Sequence, residues 1–354
     1  MILDIVLRLM FAVAVSFAVS YAATPIVKTL AFKIGAVDVP KDERRMHKKA
    51  IPTIGGVAIF YGALISILCF CDINSQLTGV LLGAVIIVSL GVLDDILDLP
   101  AILKFLIQIG AALLVVMHGV KIDHFTNPFF WQDAQYISLG MWSIPITVFW
   151  IVGVTNAFNL IDGLDGLSVS ISSISAISLF TVALLTGETN LAILSAAIAG
   201  ACFGFLPFNK HPASIFMGDA GATFLGFVFG SISVMGLFKG YAAISVSVPF
   251  LILALPIFDT SFAIIRRVLK GQSPMHPDRG HLHHRLIDMG FNQSQSVSIL
   301  CIASALLSLS AVVIILSGWE RAVIFIFAIF VLLLCGIKML SIHNRERNED
   351  NEQN

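Results

Sequence analysis

Apolar positions in this chain gather in long unbroken runs, with few charged residues inside them. Eleven such runs stand out: 4–24, 52–71, 78–97, 101–119, 142–160, 166–186, 190–208, 219–238, 243–266, 295–316 and 321–340. A helix needs roughly 20 apolar residues to cross a bilayer core, and these runs approach or meet that length. Lipid offers no hydrogen bonds, so segments of this kind must satisfy their backbone internally, as helices. The pattern predicts an all-α polytopic integral membrane protein with about eleven transmembrane helices. Residues 1–342 read as a single transmembrane domain and 343–354 as a polar tail. The first run lacks a basic leading region and a small-x-small cleavage site, so it reads as a retained span.

Charge then orients the array. With eleven spans, the odd-numbered loops and the C-terminus collect 17 of the 21 Lys and Arg residues. The other face keeps Arg8, Lys121, Lys239 and Arg321. Basic residues favour the cytoplasmic side, which predicts the N-terminus outside and the C-terminus inside. Composition agrees: 57% of residues are hydrophobic and 12% charged, against about 25% charged in soluble domains. A net charge of −1 gives no global field for nucleic acid. The five cysteines show no metal or redox spacing and read as small apolar fillers. The external stretch 120–141, with Trp131, Tyr136 and Trp142, fits an interfacial aromatic belt.

The acids are placed less evenly than chance would put them. Asp94, Asp95 and Asp98 end the third run in "GVLDDILDLP". Asp162 and Asp165 follow the fifth in "NAFNLIDGLDGL", and Asp219 opens the eighth in "FMGDAG". On the predicted topology all six reach the cytoplasmic face. Single aspartates there could be helix caps or turn residues. The adjacent pair Asp94–Asp95 is harder to explain that way, because like charges at a membrane boundary repel. Clustered short carboxylates are hard oxygen ligands suited to Mg²⁺ or Mn²⁺, which bind one or two of them and leave room for phosphates. Asn159 adds a neutral oxygen. The chemistry these groups suit is metal-assisted phosphoryl transfer at the cytoplasmic lip of the membrane.

Two basic loops fit that chemistry. "KDERRMHKKAIPTIGG" carries Arg45 and His47 ahead of Gly55–Gly56, and phosphate capture is one use for such charge. The last cytoplasmic loop, "RRVLKGQSPMHPDRGHLHHRLIDMGF", holds His276, His281, His283 and His284 with Arg279 as an oxyanion partner. Contacts to a diphosphate or sugar suit it better than zinc, since no Cys accompanies the histidines. Lys104, just past the Pro100 break, can face the carboxylates. Asp259, three residues after Pro256, reads as structural or supporting. A helix break near Pro249 or Pro256 is expected to shape a groove for a lipid chain.

Together the motifs "RRMHKKAIPTIGG", "GVLDDILD", "NAFNLIDGLDGL", "GFLPFNKHPASIFMGDAG" and "PDRGHLHHRL" resemble the polyprenyl-phosphate N-acetylhexosamine-1-phosphate transferases over essentially the whole chain. These enzymes move a sugar-1-phosphate from a UDP-sugar to a lipid phosphate and release UMP. The split His281-Leu282-His283-His284 pattern is similar to bacterial undecaprenyl-phosphate GlcNAc-1-phosphate transferases, which begin teichoic acid, O-antigen or related glycans. It differs from the three consecutive histidines of phospho-MurNAc-pentapeptide translocases.

The resemblance implies Mg²⁺ as cofactor, UDP-GlcNAc and undecaprenyl phosphate as substrates, a bacterial cytoplasmic membrane location and a tendency to homodimers. It implies Asp219 as principal metal ligand, with Asn159 helping to order the metal. Asp94 would orient or deprotonate the lipid phosphate, with Asp95 beside it. Asp162 and Asp165 would position diphosphate, metal or nucleotide. Phe216 matches a residue that stacks on uracil, Asn209 a nucleotide contact and Lys104 a phosphate contact. Asn156 lies in the same motif. Arg279, His281, His283 and His284 match the loop that handles sugar and diphosphate. An ion-coupled transporter is the rival of a different class, but its acids belong near the midplane and in repeats.

Overall fold

The computed structural model describes residues 2–39, 50–126, 136–236, 244–273, 280–318 and 321–331, with single positions at 336 and 338. Arg45, His47, Trp131, His276, Arg279 and the tail 343–354 lie outside the described residues. The described chain is mostly helical. Its helices are α1 (Ile2–Ile34), α2 (Gly56–Phe70), α3 (Ser75–Leu97), α4 (Ala101–Met117), α5 (Ser143–Ile161), α6 (Leu167–Leu185), α7 (Thr189–Asn209) and α8 (Gly218–Gly236). Then come α9 (Ile244–Ile252), α10 (Ala254–Leu269), α11 (Leu282–Asp288), α12 (Gln293–Ser317) and α13 (Arg321–Val331). Seven of these segments are long and apolar enough to cross a membrane: α1, α3, α5 with the single 3₁₀ turn before it, α6, α7, α8 and α12. Helices α2, α4 and α13 are apolar but shorter.

Helix ends follow local chemistry. Asn74 caps α3 by accepting from the Leu77 amide, and Asp98 closes it in the left-handed region. Asn292 and Gln295 form a capping box on α12, and Gly318 at φ +83° ends it. Two departures from the run pattern have clear causes. Helix α1 continues past residue 24 through Pro25 to Ile34, since a proline ring sets a φ that helix tolerates when its neighbours remain packed. The ninth run is split at Leu253, between Pro249 and Pro256. Pro256 has no N–H for the Ile252 carbonyl, and Ser175 Oγ donates to that oxygen instead at 3.3 Å.

Helix α8 is the hub. All its residues from Ala220 to Gly236 are buried, and it packs on α2, α3 and α5. The approach is close enough to need glycine. A Cβ on Gly56 would collide with the Gly221 backbone, and one on Gly91 with the Ala220 backbone. Two short antiparallel ladders accompany the helices. One pairs β1 (Val37–Asp38) with β2 (Ile51–Pro52), and the other pairs β3 (His124–Thr126) with β4 (Tyr136–Ser138). Thr53 N donates to Ala36 O, Phe216 N to Pro52 O and Gly55 N to Phe216 O, which ties the segment before α8 to the start of α2.

Candidate active site

The start of α8 gathers residues from four helices. Gly218 adopts φ +68°, and a Cβ there would strike the Thr53 carbonyl and the Asp95 carboxylate. Asp219 follows in the first turn, where the helix dipole favours an anion. Asp95, reaching across from α3, accepts from the Asp219 amide at 3.2 Å and the Ala220 amide at 3.3 Å. It caps a helix other than its own, and both its oxygens are used. Its neighbour Asp94 accepts from the Leu99 amide at 2.8 Å and from Lys104 Nζ at 2.7 Å. Lys104 Nζ also lies 3.6 Å from Asp219 Oδ2. Asn159, from α5, donates to Asp219 Oδ1 at 2.9 Å. The like-charge pair is thus divided between two tasks, one cap and one ion pair.

A cavity of about 800 Å³ opens beside this cluster. Asp162, Asp165, Asn209, Phe216, Asp219 and His284 line it, together with Lys28, Asp38 and Thr53. Asp162 closes α5. Burial pushes its carboxyl up from 3.8 to about 7, and the negative charges of Asp219 and Asp165 add to the rise. Asp165 is held differently. It accepts from His211 Nδ1 at 2.7 Å and from the Ala213 amide at 3.0 Å, which fastens the turn after α5 to the loop before α8.

The structure sorts the remaining expected contacts. Phe216 lies on the cavity wall, three residues before Asp219. Asn209 also lies there, but its amide is committed to backbone: it accepts from Gly166 N at 3.1 Å and donates to Ile215 O at 3.0 Å. Asn156 is not drawn into the carboxylate cluster. It donates to Gln108 Oε1 at 2.7 Å and Val152 O at 2.8 Å, linking α5 to α4. The spacing explains this, because Asn156 precedes Asn159 by three positions and so lies about one turn away from the cluster along the helix.

The histidines divide as well. His281 is buried, with Nδ1 at 2.8 Å from Asp259 Oδ2. His283 packs so closely on Gly163 that a Cβ there would overlap its ring. Burial holds its imidazole down at about 4, and the neighbouring His284 adds to the drop. His284 alone of the three lines the cavity. Sequence reading missed three features. His211 as partner of Asp165 stood in a recognised motif, but only the fold brings them together. Lys28 enters the cavity wall because α1 extends beyond the first apolar run, and Thr53 because it follows the β1–β2 ladder directly.

The donor set fits a hard divalent cation. Asp219 and Asp94 present oxygens around one cation, Lys104, and Asn159 adds an amide. Among the described residues no three His, Cys, Asp or Glu converge closely enough to hold a metal alone. Mg²⁺ does not need such a cage, since it keeps waters and shares phosphate oxygens.

Comparison with known proteins bears on what this arrangement serves. The sequence profile of glycosyl transferase family 4 matches residues 77–237, which include Asp94, Asp95, Asn159 and Asp219. A Bacillus subtilis protein described as a probable undecaprenyl-phosphate N-acetylglucosaminyl 1-phosphate transferase is 42% identical over 93% of this chain and 90% of its own length. A decaprenyl-phosphate N-acetylglucosaminephosphotransferase of Mycolicibacterium smegmatis is 32% identical over 79% of this chain and 75% of its own. An undecaprenyl-phosphate alpha-N-acetylglucosaminyl 1-phosphate transferase of Salmonella typhi is 29% identical over 87% and 85%. With a relative this similar along nearly its full length, the chain belongs to glycosyl transferase family 4.

Proposed function

We propose that the protein transfers GlcNAc-1-phosphate from UDP-GlcNAc to undecaprenyl phosphate in the bacterial cytoplasmic membrane, giving undecaprenyl-diphospho-GlcNAc and UMP. One observation carries this reading. Asp94, Lys104, Asn159 and Asp219 meet at one end of the bundle, beside a cavity that holds Phe216 and Asp162. The names of the relatives supply the sugar and the lipid, and the split histidine pattern agrees with them. The product would begin a cell-envelope glycan such as a teichoic acid or O-antigen. In this reading eleven segments span the membrane, with the ninth split as α9 and α10. The N-terminus lies outside and the active face is cytoplasmic. A homodimer is part of the expectation drawn from the family.

Phosphoryl transfer needs positioning and charge neutralisation more than covalent help. Mg²⁺, held by Asp219 and ordered through Asn159, would neutralise charge on the departing UMP phosphate. Lys104 sets a counter-charge between Asp94 and Asp219, where two anionic substrates must approach. Asp94 orients the acceptor phosphate through that lysine. Phe216 offers a ring face to the uracil, and Asp162 faces the diphosphate end of the cavity. A single displacement uses these groups without a phospho-aspartate. The prenyl chain would leave sideways. A second cavity of about 500 Å³, walled by Phe262, Ile265 and Leu269 on α10, offers apolar surface for it.

The test is a membrane assay with labelled UDP-GlcNAc, UDP-GalNAc and UDP-MurNAc-pentapeptide, with Mg²⁺ or with EDTA. Labelled lipid from UDP-GlcNAc only, lost in EDTA, is the expected result. Transfer from the pentapeptide donor would overturn the substrate assignment. Full Mg²⁺-dependent activity in Asp219→Asn would overturn the metal assignment.

A further inference from the structure

Asp259 is absent from the wall of the reaction cavity and stands instead in the wall of the second, apolar cavity, yet it is buried to 4% exposure inside the bundle. A buried carboxylate persists when its oxygens are satisfied, and both of these are. Oδ2 accepts from His281 Nδ1 at 2.8 Å, and Oδ1 accepts from the Leu282 amide at 2.8 Å. One side chain on α10 therefore grips both the ring and the backbone at the first residue of α11. On the ring's far side, Arg267 Nη2 stands 3.5 Å from His281 Nε2. The carboxylate makes Nδ1 the donor and leaves the Nε2 lone pair toward the guanidinium. An acid and a base of one helix thus hold a single tautomer between them.

The consequence runs along α11. The His281 and His283 rings stack with centroids 5.8 Å apart, and His283 meets His284 at 4.3 Å. His283 is seated on Gly163, in the turn between Asp162 and Asp165. The short helix is pinned at Asp259 on one side and at Gly163 on the other, and His284 is the ring left at the cavity.

We propose that Asp259 is a positioning residue: through His281 and the Leu282 amide it fixes the start of α11 so that His284 faces the nucleotide sugar. This rests on the reaction proposed above and deepens it. Asp259→Asn should lower kcat/KM for UDP-GlcNAc by about tenfold or more. Asn keeps the shape that Asp259 gives the wall of the second cavity, so KM for undecaprenyl phosphate should change by less than about twofold. In a His284→Ala background the same substitution should cost less than about threefold more, because its target is gone. Two variants test the grip directly. Asn places its amide donor where Nδ1 stood, and Gln places it where Nε2 stood. His281→Asn should stay within about threefold of wild type, and His281→Gln should fall as far as Asp259→Asn.

Losses that multiply in the double variant would overturn the proposal, as would equal activities of the Asn and Gln variants. If Asp259→Asn does not fold, the two His281 variants decide alone. Wild-type membranes that label lipid from no UDP-sugar would sink the reaction itself. Wild-type transfer with His281→Asn and His281→Gln alike would sink only the role of Asp259.

Discussion

Asp162 and His283 lie on either side of the Gly163 turn and titrate in opposite senses. The Asp162 carboxyl is raised from 3.8 to about 7. Its stabilising contribution is complete below 3.8 and is lost as pH rises through 7, because the native chain keeps a proton the unfolded chain has released. The His283 imidazole is lowered from 6.5 to about 4. Its contribution is present above 6.5 and is lost as pH falls through 4. Between about pH 4 and 6.5 the native state therefore holds one proton more at Asp162 and one fewer at His283, and the two slopes of about 1.4 kcal/mol per pH unit cancel. Asp162→Asn removes one of them. Relative to wild type, its stability should climb with pH by up to about 1.4 kcal/mol per unit, near 3 kcal/mol across two units. His283→Gln should show the reverse slope, and the double variant should run parallel to wild type. These slopes depend on proton counts and not on the size of either shift, and partial exposure of Asp162 makes them upper limits. Chemical unfolding in detergent without divalent cations, in half-unit pH steps, measures them. An Asp162→Asn curve offset from wild type by a constant would refute the reasoning.

Two further substitutions test the packing and the charges. Lys104→Met leaves Asp94, whose side chain is 7% exposed, without its cation. Breaking a buried pair costs about 3–5 kcal/mol and the part-exposed lysine puts this one near the lower end. Adding Asp94→Asn should recover part of the loss, and a double variant whose unfolding shift equals the sum of the singles would count against the pair. Gly56→Ala forces a methyl into the Gly221 backbone, at a cost of about 1–3 kcal/mol. Gly110→Ala, with open space at its Cβ, is the control and should stay within about 1 kcal/mol of wild type. Equal melting temperatures for the two alanine variants would contradict the close approach.

The apolar runs made most helices legible, because a span in lipid has few alternatives. The run ends were less so. The first run stopped at residue 24, whereas α1 continues through Pro25 to Ile34. At the ninth run the residues flagged the right neighbourhood, and the partner of the freed carbonyl, Ser175, lay some 77 positions away in sequence. The convergence of Asp94, Asp95 and Asp219 was readable because charge placed them on one face. What each does was not, since capping α8 and pairing Lys104 look alike in a DD dipeptide. The hydrogen bonds of Asn156 and Asn209 were hidden for the same reason. An amide in a polar motif can serve a ligand or its own backbone, and only its hydrogen bonds distinguish the two.

Helix α1 also works as a depth gauge. Arg8, paired with Asp4 and Asp72, and Lys28, on the cavity wall, are separated by 20 residues. At 1.5 Å per residue that is about 30 Å, the thickness of the hydrocarbon core. In the topology proposed above, two cations so spaced would rest one in each headgroup layer and resist vertical drift of the bundle. That topology would bring the cavity mouth level with the phosphates of the surrounding lipids. A phosphorylated lipid already floats its charge at that height, so it can arrive by sideways diffusion without lifting its tail or sinking its charge into oil.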